Sequence, residues 1–129
     1  MSTARYVQKA SMSVSTPNTV ISSFLLAPGN WVIFAKFEVA VLAGADTDLA
    51  PRISLFRLEF AGKTDRAFCH LNQGGLDTVV LNVAGTHPGS ATIGGGSVLM
   101  TAKLICESTN ADLEIKHIAL SAISVDTLT

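Results

Sequence analysis

Residues 113–126 read LEIKHIALSAISVD, and the fold assigned to the chain depends on how this stretch is interpreted. Side chains alternate between the two faces of a β-strand. Leu113 and Ile115 lie on one face, whereas Ile118, Leu120 and Ala122 lie on the other face between charged ends. A strand in a half-buried sheet needs only one apolar face. The stretch therefore predicts a strand with a second apolar face that something must cover.

Two covers for this second face remain open. Leaving Ile118 and Leu120 in water forgoes about 1.5–3 kcal/mol each, against a stability of about 5–15 kcal/mol for a whole domain. A second copy of the chain is the simplest cover. The alternative is a long loop or the N-terminal segment folded over the same face. We expect the second copy.

Other apolar residues extend this expected contact surface beyond residues 113–126. Val32 and Phe34 lie on the wetter face of a second strand-like stretch, and Leu99 and Ile105 lie near a third. Contiguous exposed apolar surface marks contact sites. The sequence therefore predicts an oligomer interface with these members: Val32, Phe34, Leu99, Ile105, Ile118, Leu120 and Ala122.

A period of two dominates the rest of the chain. Apolar residues occupy the odd positions from Trp31 to Val41 and the even positions of residues 98–106, which is typical of half-buried strands. Residues 6–14, 19–26, 52–60, 66–71 and 78–83 predict further strands, and no sustained helical stripe occurs. We predict an all-β, single-domain antiparallel sandwich of about eight strands with jelly-roll topology. Its expected core is Trp31, Ile33, Phe37, Val39, Met100, Leu104 and Ile123.

The length of 129 residues fits one domain. We divide it into an N-terminal arm, residues 1–17, and a sandwich, residues 18–129. The arm contains Arg5 and Lys9 and few large apolar side chains. It either becomes ordered by docking on a neighbour or pairs as a strand within its own sheet, and both readings remain open.

Composition bounds the partners. Charged residues make up 15% of the chain, the mean hydropathy is +0.42 and the net charge is -1, so no basic surface gathers nucleic acid. No apolar run reaches the roughly 18 residues of a membrane helix, and no secretory signal is recognised. We therefore expect no insertion into a membrane and no export across one. Cys69 and Cys106 are interpreted as buried thiols, with a disulfide as the alternative.

The connectors carry turn residues but no catalytic or metal-binding pattern. Residues 27–30 and 73–75 predict turns, and residues 43–51 and 85–97 predict longer loops. Gly94, Gly95 and Gly96 lack the Lys and helix of a phosphate loop. Asp46 and Asp48 lack the further oxygen ligands of a calcium site.

The remaining reactive side chains do not form a recognised constellation. His70, His87 and His117 are far apart and show no zinc-binding spacing. Cys69 and His70 are adjacent, so on a strand they point to opposite faces and cannot pair. Ten acidic residues leave a carboxylate pair open, but nothing singles out two. We expect no cofactor, no metal and no enzymatic activity.

Residues 29–36, GNWVIFAK, resemble the Gly-x-aromatic-x-aliphatic strand of tumour-necrosis-factor-like and complement-head-like jelly rolls. Residues 118–125, IALSAISV, resemble the last strand of those families, and residues 98–106 add to the resemblance. The resemblance implies a compact homotrimer whose last strand turns an apolar face to the threefold axis. Family members with collagenous or coiled-coil stalks carry them before the head, and this sequence shows neither.

Two functional hypotheses follow, both by analogy from fold and size. The first is a structural virion protein of a tailed bacteriophage, a trimer that acts as a capsid decoration or accessory protein. Its partners are further copies of itself and other virion proteins. The second is a lectin-like or receptor-binding head, as in a tail fibre, which recognises a glycan or receptor through the loops at residues 43–51 and 85–97.

Overall fold

A computed structural model describes residues 4–41, 52–71, 76–88, 99–109 and 113–125. These residues form eight β-strands and no helix, so none of the described ranges holds a helix that could cross a membrane. The all-β prediction is confirmed. The strands are β1 (Ala4–Val14), β2 (Thr19–Leu26), β3 (Gly29–Val41), β4 (Arg52–Phe60), β5 (Lys63–Leu71), β6 (Leu76–His87), β7 (Met100–Thr109) and β8 (Leu113–Val125).

The strands form two four-stranded antiparallel sheets. The first sheet has the order β1-β8-β3-β6, and the second has the order β2-β7-β4-β5. Of the eight described strands only β4 and β5 are neighbours both in sequence and in a sheet, and the chain crosses between the sheets at each of the other six connections. This arrangement of eight strands in two sheets is the jelly roll that the sequence predicts.

The core lies between the inner faces of the two sheets. Phe37 of β3 and Phe56 of β4 meet there edge to face, with ring centroids 4.8 Å apart, a favoured geometry for aromatic pairs. Of the expected core, Met100 is only partly buried, and Ile123 is 43% exposed, so its assignment is wrong. The remaining expected members are buried: Trp31, Ile33, Phe37, Val39 and Leu104.

A β-bulge at His117 reverses the alternation of β8. His117 has a φ of 52°, and the register between β3 and β8 shifts between Lys36 and Glu38. Two residues of β8 therefore stand opposite the single residue Phe37, which is the defining feature of a bulge. The apolar groups before and after His117 consequently share one face. All five side chains are fully buried in the core: Leu113, Ile115, Ile118, Leu120 and Ala122.

This bulge corrects the expectation that opened the sequence analysis. Ile118, Leu120 and Ala122 have no exposed surface and belong to the hydrophobic core of the chain itself. Neither a second copy nor a long loop covers them. The second sheet does, because the extra residue turns the C-terminal half of β8 inward.

Strand β1 lies in the region where the sequence analysis expected an N-terminal arm, and that expectation is wrong for residues 4–14. Residues 4–14 pair antiparallel with β8 in one continuous register, and Ala10 stands opposite the bulged His117. Val7 and Met12 pack against the core, and Val14 is buried in it. The apolar residues of β1 thus change from odd to even positions at the same level as those of β8. Residues 4–14 are a strand of the first sheet and no separate arm.

Two tight connections position the strands. The predicted turn at residues 27–30 is a corner between the sheets, where the indole N–H of Trp31 donates to the carbonyl oxygen of Ala27 at 2.9 Å. Ala61 and Gly62 join β4 to β5 with φ angles of 52° and 77°. Positive φ at both central residues is the type I′ geometry that matches the twist of a hairpin.

Part of one predicted loop is strand. Residues 85–87 belong to β6, and Gly85 lies on its inner face. A Cβ atom at Gly85 would stand 3.0 Å from Cδ2 of Phe60 and 3.3 Å from Cβ of Ala61, so glycine here permits a close approach of the two sheets. The turn at residues 73–75 and most of the loops at 43–51 and 85–97 lie outside the described residues.

The edges of the two sheets also meet. Asp65 of β5 accepts a hydrogen bond from the backbone N–H of Asn82 in β6, with Oδ2 3.0 Å from the nitrogen. β6 is an edge strand, and unpaired edge N–H groups invite pairing with other chains. The carboxylate therefore occupies one edge donor and joins the sandwich along this side.

Candidate functional site

The outer face of the first sheet carries a group of exposed apolar side chains. Tyr6 is 63% exposed, Phe34 41%, Val80 59% and Ile123 43%, and Val32 is half-buried among them. These residues come from all four strands of the sheet. We call Tyr6, Val32, Phe34, Val80 and Ile123 the apolar patch.

Strand register brings the patch together. Phe34 pairs with Ser121 of β8, and Ser121 pairs with Tyr6 of β1, so both rings lie in one row across the sheet. Val32 pairs with Ile123 in the next row. Residues paired directly across antiparallel strands share a face and lie about 4.5–5.5 Å apart. Val32 and Ile123 are therefore direct neighbours, whereas Ser121 lies between Tyr6 and Phe34.

The other end of the same face is charged. Lys116 Nζ lies 3.7 Å from Glu114 Oε1 on β8, and His117 Nδ1 lies 3.0 Å from Glu38 Oε2 of β3. Lys36 lies next to Val80 in register, at the border with the patch. The outer face of the first sheet is therefore apolar at one end and mixed in charge at the other.

The predicted interface residues divide between four places. Val32 and Phe34 lie in the apolar patch. Leu99 is 50% exposed just before β7, and Ile105 is 5% exposed on the outer face of the second sheet, between Val20 and Arg57 in register. The structure does not bring Leu99 or Ile105 next to the apolar patch. Ile118, Leu120 and Ala122 lie in the core, as described above.

Sequence reasoning missed Tyr6, Val80 and Ile123 as surface residues. The signal for Tyr6 and Ile123 is a change of parity that both strands share. In β8 the buried residues change from odd to even positions after Ile115, which sends Ile123 outward. Val80 lies on the wet face of a fully regular alternation in β6.

The outer face of the second sheet is dominated by ion pairs. Glu107 of β7 receives Arg57 Nη1 at 2.7 Å and Arg66 Nε at 3.3 Å on its two carboxylate oxygens. Arg57 Nε also lies 3.2 Å from Glu59 Oε2, without the alignment of a hydrogen bond. These arginines are engaged by carboxylates of the chain itself.

An open cleft of about 330 Å³ lies at the hairpin end of this face. It offers two hydroxyl groups, one carboxylate and one ammonium group above the turn between β4 and β5. Its lining residues are Glu59, Phe60, Ala61, Gly62, Thr64, Thr101 and Lys103.

The thiols and histidines do not form a reactive centre. Cys69 and Cys106 are unpaired and buried. Burial raises the pKa of Cys69 to about 12, with the Asp77 carboxylate adding to the effect, and burial raises the pKa of Cys106 to about 11. His70 is exposed while Cys69 is buried, so they do point apart. Within the described ranges no three His, Cys, Asp or Glu side chains gather as metal ligands would.

Comparison by sequence does not place the chain in a family. No protein-family model matches it, and no curated protein matches it. Comparison of structures does find similar folds. A chain in a structure of infectious bursal disease virus, Gx strain, is 12% identical and superposes with a TM-score of 0.52 over 98% of this chain. The present chain spans 38% of that viral chain.

Two further solved structures show weaker similarity. The Stig cyclase Fisc from Fischerella sp. TAU has a TM-score of 0.45 at 12% identity, over 80% of this chain and 53% of its own. The CBM22-1 xylan-binding domain of Paenibacillus barcinonensis Xyn10C has a TM-score of 0.42 at 16% identity, over 96% and 86%. At such identities similarity speaks for the fold alone. The similarity to the chain of infectious bursal disease virus therefore supports the β-sandwich fold.

Proposed function

We propose that this chain is a non-enzymatic structural protein of a virus particle, a homotrimer that decorates or completes the capsid of a tailed bacteriophage. The observation that carries the proposal is a complete jelly roll with an apolar patch on one outer face. Exposed apolar surface of this kind marks contact with other proteins. The fold similarity to a chain of infectious bursal disease virus supports the same class.

The chemistry of the described residues supports a structural role over a catalytic one. A nucleophilic cysteine needs a thiolate, and both thiols here are buried with raised pKa values. Arg57 and Arg66 are paired with Glu107 and offer little to a phosphate backbone. The partners we propose are accordingly further copies of the chain and other virion proteins, and neither nucleic acid nor a membrane.

The location that follows from this proposal is the virion. The experiment is mass spectrometry of particles purified on a density gradient from the biological source of this sequence. We expect its peptides to band with the capsid protein at a fixed stoichiometry and to remain after a salt wash. Peptides recovered only from the soluble fraction would refute the virion role.

A carbohydrate- or receptor-binding head is the second candidate, because one specific observation favours it. Tyr6 and Phe34 lie exposed in one row of the first sheet, with Ser121 of β8 between them. Exposed aromatic rings on a common face offer apolar surfaces on which sugar rings can stack. In that case the apolar patch is the recognition surface, and the chain acts as a tail-fibre or lectin-like module.

A glycan array separates the two candidates. For the binding head we expect a defined set of glycans whose binding is lost in Tyr6→Ala and Phe34→Ala. Phe68→Ala is the matched control, since Phe68 is 69% exposed on the second sheet. No glycan binding by the wild-type protein would refute carbohydrate recognition by this candidate.

A further inference from the structure

We infer that the apolar patch on the outer face of the first sheet is the surface through which copies of this chain contact one another. The inference rests on the proposed self-assembling function and names the surface that performs it. It replaces the expected surface on Ile118, Leu120 and Ala122, which the fold itself buries.

The apolar patch covers a large part of the outer face of the first sheet. Its members lie within four strands about 4.8 Å apart and about three rows of side chains, a footprint of about 400 Å² that also contains the polar Ser121 and Asn82. The largest apolar patch of a typical monomer covers about 300–600 Å² and is often functional. Tyr6 and Val80, at 63% and 59% exposure, leave much of their apolar surface in water.

The outer face of the first sheet as a whole is larger than the patch. β3 and β8 are 13 residues long. At about 3.4 Å per residue and four strands in width, the outer face measures about 800 Å², which is what one partner buries in a standard protein interface. The face is therefore large enough for a stable contact when its charged end takes part.

The charged end of this outer face carries both positive and negative side chains. Glu114 lies 3.7 Å from Lys116, and Glu38 lies 3.0 Å from His117. Lys36 borders the patch. A face that carries both signs can meet another copy of itself without net like-charge repulsion, because its cations can lie against the anions of the neighbour. A lipid surface or a nucleic acid would select for one sign. The charges favour a second copy as the occupant.

The outer face of the second sheet distributes its exposed apolar side chains differently. Val20 and Leu25 on β2 and Phe68 on β5 are also exposed. Arg57 and Glu107 lie on the strands between them, so an ion pair separates the apolar side chains at the two edges of that sheet. Among the described residues of the first sheet, the ion pairs lie at the charged end and outside the apolar patch.

The experiment measures mass in solution by light scattering at about 1–50 micromolar protein. We expect the wild-type protein well above the single chain mass of 13.5 kDa, at about three times that mass if the proposed homotrimer forms. Phe34→Glu should run at one chain mass with unchanged circular dichroism, because it places like charges together in an apolar contact. Tyr6→Glu, on an exposed edge position, should do the same and serves if Phe34→Glu does not fold. Phe68→Glu is the matched control and should keep the wild-type mass.

The outcomes separate the inference from the proposed function. A wild-type protein that stays monomeric overturns the self-contact. Particle association then decides the virion role on its own. A wild-type oligomer that survives both Phe34→Glu and Tyr6→Glu overturns the inference and leaves the trimer standing on another surface. Dissociation by Phe68→Glu as well would also overturn it, because the effect would not be specific to the patch. Loss of glycan binding without loss of mass would assign the patch to a carbohydrate.

Discussion

β3 and β8 are adjacent strands of the same sheet and have the same length of 13 residues, yet they distribute their side chains differently. β3 buries every second residue from Trp31 to Val39 without interruption. β8 buries odd positions up to Ile115 and even positions from Ile118 onward. The difference comes from one residue, His117, whose positive φ inserts an extra position into β8 alone.

β8 shows that the alternation of apolar and polar residues has to be examined separately in the two halves of a strand when apolar residues occupy both of its faces. A strand with two apolar faces can indicate a partner, as the sequence of β8 first indicated. It can equally indicate a bulge that brings both faces to one side. The neighbouring β1 carries the same change of parity at Ala10, and a change shared by two segments favours the bulge.

Deleting His117 should break the comparison most severely. Without the extra residue β8 would alternate as β3 does, and either Leu113 and Ile115 or Ile118 and Leu120 would point into water. Each such side chain is worth about 1.5–3 kcal/mol, so the two of a pair together lose about 3–6 kcal/mol. This loss reaches the lower end of the stability of a domain, about 5–15 kcal/mol. We expect no cooperative thermal unfolding transition by circular dichroism. His117→Ala keeps the residue count and should still fold, and a cooperatively folded deletion variant would contradict the role of the bulge.

Leu120→Asp should have the next largest effect. Leu120 is fully buried, and an unpaired carboxylate in an apolar core costs several kcal/mol. We expect a protein that is unfolded or loses most of its free energy of unfolding in a urea titration. The control is Ser23→Asp at an exposed position of the second sheet, which should cost less than about 1 kcal/mol. A folded Leu120→Asp monomer would instead place this residue at an interface.

An alkaline titration tests the dry core that both strands cover. Cys69 and Cys106 have raised pKa values in the folded protein, whereas the ordinary value is 9.0. The stability that the neutral thiols contribute is complete below about pH 9 and is lost as pH rises towards about 11 and 12. Each unit of difference corresponds to about 1.4 kcal/mol.

We therefore expect the free energy of unfolding of the wild-type protein to fall between pH 8 and pH 10.5. The fall should exceed that of a Cys69→Ala, Cys106→Ala double variant, which controls for lysine and tyrosine titration. Equal slopes would mean that water reaches these thiols.

Glu38→Gln should have the smallest effect on the free energy of unfolding. It tests whether the His117–Glu38 contact or the extra residue maintains the bulge that distinguishes β8 from β3. His117 is 74% exposed and its contact with Glu38 spans 3.0 Å, and exposed ion pairs contribute only about 0–1 kcal/mol. We expect the free energy of unfolding at pH 6 to change by less than about 1 kcal/mol, with wild-type circular dichroism. A loss of several kcal/mol would show that the pair, and not the residue count, maintains the bulge.

Much of the fold could be predicted from the sequence, because period-two alternation is a local property. β2, β4 and β8 begin and end at the residues expected. β6 runs on through Gly85 into an expected loop, since its glycine is required by the nearby Phe60 ring. A glycine chosen for close packing cannot be distinguished by composition from one chosen for a turn.

The candidate site was predicted only in part. Val32 and Phe34 alternate regularly, so their outward direction followed from the sequence. Tyr6 and Ile123 lie in the strands that change parity, and their direction depends on which residue bulges. That choice is made by pairing with β3, from β8 directly and from β1 through β8. Both are long-range contacts that no local pattern contains.

The short turn at Ala61 and Gly62 has a consequence for how the chain folds. The hairpin of β4 and β5 is the one strand pairing between consecutive elements, whereas β1 pairs residue 4 with residue 123. Local pairings close small loops quickly, and distant ones must first pay a large loop-closure entropy. The hairpin is therefore the natural starting point, and formation of the β1–β8 pair closes the sandwich last. We expect folding on the timescale of milliseconds to seconds that is typical of all-β sandwiches.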